Sequence, residues 1–393
     1  MARELASDQQ HRSPGRCADS HRGGDPAGQR RLGRTPVPVP PGPEEGVSSA
    51  GSARRWCNAE RLRRGFRNQS GSGSRGDYAV KRQRGIALIT AILVVALATV
   101  AATAILTSAN IAVHRAANLQ DSERAWWYAD GIESWLLTIL ERDIQDNQYD
   151  GLGDIWAKPV DYLPIDEGAA RGQMVDLQGR FNLNNLAVPD KQAFDRQQAV
   201  FLRLLRYLEI DSFQAQGLAS AIRDWIDTDT SPTGYDGGED AEYLGFNPPY
   251  RVPNRLMESP TELLAVKGVT RELYVKLRPY VTALPQVGTP INANTAPEPV
   301  LFALAREPGP LQKTFLEERV RKPAKNIGEL TGGANAVFGA GDADTTMLAT
   351  SSSYFMLQAE IFVGSGRLAL YSFYYRPAQG AAPYVYARSI DTE

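Results

Sequence analysis

Between Gly85 and Val113 the chain carries no charged residue, and the heart of that run, Ile86-Ala-Leu-Ile-Thr-Ala-Ile-Leu-Val-Val-Ala-Leu-Ala-Thr-Val100, is almost wholly apolar. About 20 such residues in a helix span a hydrocarbon core. The helical period then continues without a proline through Ala112, Ala116, Leu119, Glu123, Trp127, Ile132, Trp135, Leu136 and Leu140. The pattern predicts one helix over 86–142, its membrane part about 86–109 and its second half amphipathic against a folded region.

The pattern changes several times after that helix. Residues 143–168 are polar and rich in Gly, Asp and Pro, and read as a surface connection. Residues 173–183 alternate around a Gln-Gly pair, which predicts a hairpin. Apolar residues at three and four spacing predict helices over 193–208 and 213–226, with two shorter ones over 262–281. Two alternating runs, 354–363 and 367–375, flank Gly364-Ser-Gly366 and predict a second hairpin. Strand signals on both sides of a helical block give an α+β fold with an antiparallel sheet. Residues 143–187 and 341–393 form its α/β domain, and 188–340 a large inserted helical, SAM-like domain.

Composition separates the termini from the folded part. Residues 1–85 hold 17 Lys/Arg against 8 Asp/Glu, whereas 86–393 hold 26 against 37. A folded part this acidic disfavours wrapping nucleic acid, whose binding rests on phosphate neutralisation. Both cysteines, Cys17 and Cys57, precede the apolar run, so residues 86–393 have no disulfide and any staple there is a metal or a partner. Proline-rich and Gly/Ser-rich stretches make 1–79 a disordered segment by composition. A start at Val80 would make 80–85, Val-Lys-Arg-Gln-Arg-Gly, a short basic leader and leave the preceding 79 residues outside the protein.

Lys81, Arg82 and Arg84 hold the N-terminus on the cytoplasmic side and send the bulk of the chain across. Three processing schemes fit the residues alone. A secretory signal would be cut at Ala101-Ala-Thr-Ala104, a signal anchor would not be cut, and a cut after Gly85 would leave the whole helix on the mature chain.

Basic leader, Gly85, apolar helix and amphipathic continuation together resemble type IV pilins and type II secretion pseudopilins. The later segments Ala125-Trp-Trp-Tyr-Ala-Asp-Gly-Ile-Glu133, Asp176-Leu-Gln-Gly-Arg-Phe-Asn-Leu-Asn-Asn-Leu186, Asp224-Trp-Ile-Asp-Thr-Asp229, Gly238-Glu-Asp240 and Ile291-Asn-Ala-Asn-Thr-Ala-Pro297 resemble the K-type minor pseudopilins, the general secretion pathway protein K family. The resemblance covers roughly 81–380. It implies cleavage between Gly85 and Ile86 by a prepilin peptidase, with methylation of the new terminus. Most pilins carry Glu at the fifth mature position, where it neutralises a neighbour's amino terminus; Thr90 stands there in this chain. That departure implies a subunit at the pseudopilus tip, initiating assembly for secretion across the outer membrane. Its implied partners are the I- and J-type minor pseudopilins and the inner-membrane secretion platform, with the bulk of the chain periplasmic. No enzymatic activity is implied.

Seven carboxylates fall within residues 224–242, with no Lys or Arg among them. Converging carboxylates repel unless a cation neutralises them, and an oxygen-only set in a Gly-rich loop suits calcium. The family resemblance implies calcium in the corresponding loop. The expected ligands are Asp227, Asp229, Glu239 and Asp240, with Asp236 and backbone carbonyls contributing; the bland alternative is a solvated acidic loop.

Two other functions compete. Residues 262–273 resemble a helix-hairpin-helix and Asn292-Ala-Asn-Thr-Ala296 the entry to another, which would suit an exported DNA-binding or uptake component. Alternatively, Glu239 and Asp240 would serve an exported hydrolase as acid and base. Trp126, Trp127 and Trp135 are expected to pack the long helix onto the folded domain.

Overall fold

The first helix, α1 (Ile86–Asp146), runs for 61 residues, about 90 Å at roughly 1.5 Å per residue. Its apolar half is long and apolar enough to cross a membrane and is left unburied by the described residues. Threonines are tolerated there because their hydroxyls bond back to the helix: Thr103 Oγ1 donates to Val100 O at 2.9 Å and Thr107 Oγ1 to Thr103 O at 2.8 Å. The computed structural model describes residues 85–377 and 381–392 except 235, 334, 335 and 340. The expectations for 1–79, for Val80 and for most of the 80–85 leader lie outside the described residues.

One stripe of the second half of α1 is buried: Ala125, Ala129, Glu133, Leu136 and Leu140, at three and four spacing. It lies on an antiparallel sheet of five strands in the order β1 (Val160–Ile165), β2 (Gly168–Asp176), β7 (Tyr354–Val363), β8 (Gly366–Tyr375), β9 (Tyr384–Ile390). Ala125 and Ala129 pack on Ile361, Val363, Leu368 and Leu370, while Leu136 and Leu140 pack with Trp156, Phe355 and Leu357. Alanines let the helix approach closely at one end and leucines fill the wider gap at the other. The three tryptophans do not perform this packing. Trp127 is 77 % exposed and Trp126 and Trp135 are also exposed, because their positions turn away from the 125/129/133/136/140 stripe. Glu133, inside the stripe, is neutralised by Arg388, whose Nε and Nη2 donate at 2.9 and 2.7 Å.

The hairpin expected over 173–183 does not form. β2 ends at Asp176, whose Oδ1 accepts from Gln178 N at 2.8 Å and turns the chain into a 3-10 turn. The hairpin partner of β2 is instead β1, inside the stretch read as a surface connection, with Glu167 at φ 61° in the turn. The second hairpin forms as expected, Val363 facing Gly366.

Tyr374 of β8 is fully buried, and its hydroxyl has no hydrogen-bond partner among the described residues. An unpaired buried hydroxyl costs more than the bond it forgoes. Tyr374→Phe is therefore expected to stabilise the protein by about 1 kcal/mol, read as a higher urea midpoint at unchanged slope; a loss of stability would mean that the hydroxyl is satisfied.

Between the paired strands β2 and β7 lies the helical unit. Its elements are β3 (Phe181–Asn182), α2 (Lys191–Tyr207), α3 (Ser212–Ile226), α4 (Asp240–Tyr243), α5 (Arg271–Leu277), β4 (Val281–Thr282), β5 (Ile291–Asn292), α6 (Glu298–Leu304), α7 (Pro310–Glu318), α8 (Ile327–Thr331) and β6 (Leu348–Ala349). Its core runs from Phe181 to Leu348.

The unit is one design used twice. β3 pairs in parallel with β4, and β5 with β6. Asn182 Oδ1 accepts from Asn184 N at 3.1 Å, as Asn292 Oδ1 does from Asn294 N at 3.0 Å. The second asparagine of each pair then bridges to a distant segment. Asn184 exchanges bonds with the backbone of Met257, accepting at 2.9 Å and donating at 2.9 Å. Asn294 does the same with Ala324, at 2.8 and 2.9 Å. The likeness of 292–296 to a helix-hairpin-helix entry is this repeat. The acidic loop belongs to the first copy.

Candidate metal centre

The loop starts where α3 stops. Asp224, in the last turn, is fully buried and folds the loop onto itself: its carboxylate accepts from Thr233 N at 2.9 Å and Gly238 N at 2.7 Å. A Cβ on Gly237 would sit 2.2 Å from Asp224 Oδ2, so this close approach requires glycine. The chain returns at Glu239, which caps α4.

This fold brings Asp227, Asp229 and Glu239 together, with one carboxylate oxygen from each within 4.8 Å of the others. Glu239 is only 5 % exposed, yet neither of its oxygens has a partner among the described residues, and neither does Asp227 Oδ1. Burial, with Asp224, Asp227 and Asp229 adding repulsion, pushes Glu239 up to about 7. Burial and Asp229 raise Asp227 to about 6. Arg223 approaches Asp227 Oδ2 at 3.6 Å, and Asp227 remains raised in spite of it. Orphaned oxygens on Glu239 and Asp227, converging with the exposed Asp229 and with no nitrogen or sulfur donor, fit a hard cation such as calcium.

Asp240 and Asp236 lie outside that trio. Asp240 Oδ1 accepts from Val252 N at 3.2 Å and its Oδ2 pairs with Arg251 at 3.3 Å. The Cβ of Asp236 lies 3.4 Å from where a Cβ on Gly217 would stand, on the face of α3. Asn254 is the residue that counting acids misses. At φ 46° it donates from Nδ2 to Asp229 O at 3.1 Å, and its own Oδ1 is buried without a partner among the described residues. An asparagine following a proline was the only hint of this left-handed turn.

The alternative chemistries gain no geometry. Asp240 is held by Arg251 and the Val252 amide, whereas the Glu239 oxygens converge with Asp227 and Asp229, so Glu239 and Asp240 make no acid and base pair. The hairpin of 262–273 forms, with Gly268 at φ 79°, but Lys267 spends its amide on Tyr243 Oη at 3.0 Å and its ammonium on Glu242 at 3.3 Å. A phosphate would meet an acidic neighbourhood there.

At the other end of the chain, Gly85 caps α1 at φ −109°, and nothing lies within 4 Å of where its Cβ would be. Among the described residues, neither conformation nor packing requires glycine at that position. Thr90 satisfies itself, donating to Ile86 O at 3.2 Å or Ala87 O at 3.0 Å.

Residues 179–286 match the family described as type II secretion system (T2SS), protein K. The type II secretion system protein K of Aeromonas hydrophila is 34 % identical over 310 residues, covering 75 % of this chain and 94 % of that protein. That of Pseudomonas aeruginosa is 33 % identical over 306 residues, covering 76 % and 90 %. Among solved structures, a chain of the GspK-GspI-GspJ complex from the type 2 secretion system of enterotoxigenic Escherichia coli superposes with a TM-score of 0.63 at 26 % identity, covering 71 % of this chain and all of that one. With its apolar N-terminal helix laid on an antiparallel sheet and a doubled helical unit between two sheet strands, the chain belongs to the type II secretion system protein K family, the K-type minor pseudopilins.

Proposed function

We propose that this minor pseudopilin caps the pseudopilus, where it initiates assembly together with I- and J-type minor pseudopilins on the inner-membrane secretion platform. The observation that carries the reading is Thr90. Its hydroxyl is satisfied within its own helix, so the subunit brings no buried carboxylate that must find a neighbour's amino terminus in lipid. A helical unit with a core running from Phe181 to Leu348 adds bulk that a subunit stacked above would strike.

In this reading α1 crosses the inner membrane with its N-terminus cytoplasmic and the remainder periplasmic. Prepilin peptidase cuts between Gly85 and Ile86, which accounts for a glycine that the fold itself does not use. Asp227, Asp229 and Glu239 hold calcium, with Asn254 Oδ1 in reach of the same loop and Asp236 and Asp240 as outer acids. The ion supplies positive charge where the protein supplies none strong enough, and so fixes the loop between α3 and α4.

The test is co-expression of the full chain with prepilin peptidase and the I- and J-type subunits, followed by purification from detergent-solubilised membranes in calcium. A ternary complex whose K-type subunit begins at Ile86 is expected. Failure to retain both partners would sink the tip assignment, and an N-terminus elsewhere would sink the cleavage site.

A further inference from the structure

A second group of carboxylates shares no residue with the acidic loop. Asp143 in the last turn of α1 and Asp150 and Asp154 in the following loop each place an oxygen within 4.8 Å of the other two. Asp150 is 1 % exposed. Its Oδ2 accepts from Ser352 N at 2.7 Å and pairs with Arg376, while its Oδ1 has no partner among the described residues. Asp143 Oδ2 takes the other arm of the same guanidinium at 2.9 Å. Asp154 is returned to the cluster by a tight turn, its Oδ2 accepting from Gly151 N at 2.7 Å.

One guanidinium therefore faces three carboxylates, and the excess negative charge is what a single divalent cation would cancel. The donors are all oxygens and the loop that carries two of them is irregular, which suits a hard ion with adaptable coordination. A cleft of about 610 Å³, lined in part by Glu141, Gln145, Asp150, Ser352 and Arg376, gives an ion a route in from solvent.

We propose that Asp143, Asp150 and Asp154 form a divalent-cation site of their own, taking calcium, at the joint between the long helix and the head of the protein. Three parts of the chain meet there. Asp143 belongs to α1, Arg376 follows β8, and the backbone of Asp150 is bonded to the helical unit and its exit, through Asn292 Nδ2 at 3.2 Å and Thr350 O at 2.8 Å. An ion bound among them would fix the angle at which the head sits on its anchor. The competing arrangement is a proton shared between Asp143 and Asp150 with no metal.

The proposal is independent of calcium in the acidic loop, because the test removes that loop's ligands first. The full-length protein carrying Asp227→Asn, Asp229→Asn and Glu239→Gln is freed of metal with a chelator in detergent and dialysed against radiolabelled calcium. Retention of about one calcium ion per chain is expected. Adding Asp154→Asn should weaken that binding roughly 10-fold or more, and adding Asp150→Asn should abolish it. Asp154 is half-buried and its replacement is isosteric, so it decides the matter if the Asp150 variant fails to fold by circular dichroism. No calcium uptake by the starting variant, or uptake unchanged by Asp154→Asn, would overturn the site; the first of these results would leave the shared proton in its place.

Discussion

Glu239→Gln is expected to raise the melting temperature of the chelated protein and to lower that of the calcium-loaded protein. Without metal, Glu239 is a buried carboxylate with no hydrogen-bond donor among the described residues and four acidic neighbours. Replacing it with a neutral side chain of the same shape relieves about 1–3 kcal/mol. With calcium bound, the same change removes a charged ligand and part of the stabilisation that binding supplies, about 2.7 kcal/mol at a hundredfold excess over the dissociation constant. A solvated acidic loop would give the same small effect in both conditions.

The pH dependence carries the same inversion. Glu239 moves from its ordinary 4.5 to about 7 in the metal-free fold, so between those values the folded state holds a proton that the unfolded state has released. Stability of the metal-free protein therefore falls as pH rises through that window. In calcium the ligands are ionised and protons compete with the metal, so stability rises over the same window. In the metal-free protein burial also raises Asp143 to about 7 and Asp176 to about 6, which adds a slope of the first sign. Subtracting the Glu239→Gln curve from the wild-type curve removes that shared background.

Arg376→Gln should cost about 3–5 kcal/mol in chelator, the largest single-residue loss outside the apolar cores. Arg376 is 4 % exposed, pairs with Asp143 and Asp150, donates to Ser352 O at 2.7 Å and lies 4.9 Å over the Phe355 ring. Its removal leaves Asp150 charged, buried and without a counter-ion. Arg388 and Glu133 offer a control: the Arg388 side chain is half exposed, so breaking that pair leaves a partner that water can reach. Chemical denaturation of both variants should give Arg376→Gln the lower midpoint by a wide margin. Equal losses, or a loss under about 1 kcal/mol for Arg376→Gln, would mean that Arg376 is not the counter-ion the fold depends on at Asp143 and Asp150.

What could be read from the residues followed periodicity. α1, α2, α3 and the β7–β8 hairpin carry uninterrupted apolar rhythm, and they form near the expected bounds. β1 and β9 are edge strands whose side chains are largely exposed, so they lack the rhythm and pass for connections. The false hairpin over 173–183 arose because a Gln-Gly pair reads as a turn between alternating runs, while Asp176 caps a different turn and sends β3 to pair with β4. At the candidate metal centre, counting acids picked out Asp227, Asp229 and Glu239, which the fold brings together, but could not separate them from Asp240, whose partner Arg251 comes from beyond the loop. Nor could it find Asn254, which enters through a backbone turn. The cluster of Asp143, Asp150 and Asp154 escaped notice for a similar reason: its meaning depends on Arg376, more than two hundred positions away.

The pairing of β2 with β7 sets an order of events during synthesis. Gly168 must meet Val363, and Asp176 must meet Phe355, so the centre of the sheet cannot close until the whole helical unit between them has been made. Contacts this far apart in sequence form slowly. The helical unit between them owns its core and is free to fold first. Through that interval Ala125, Ala129, Leu136 and Leu140 wait uncovered, since the strands β7 and β8 that bury them follow the helical unit. The newborn chain thus exposes an apolar ledge on its long helix until those strands arrive.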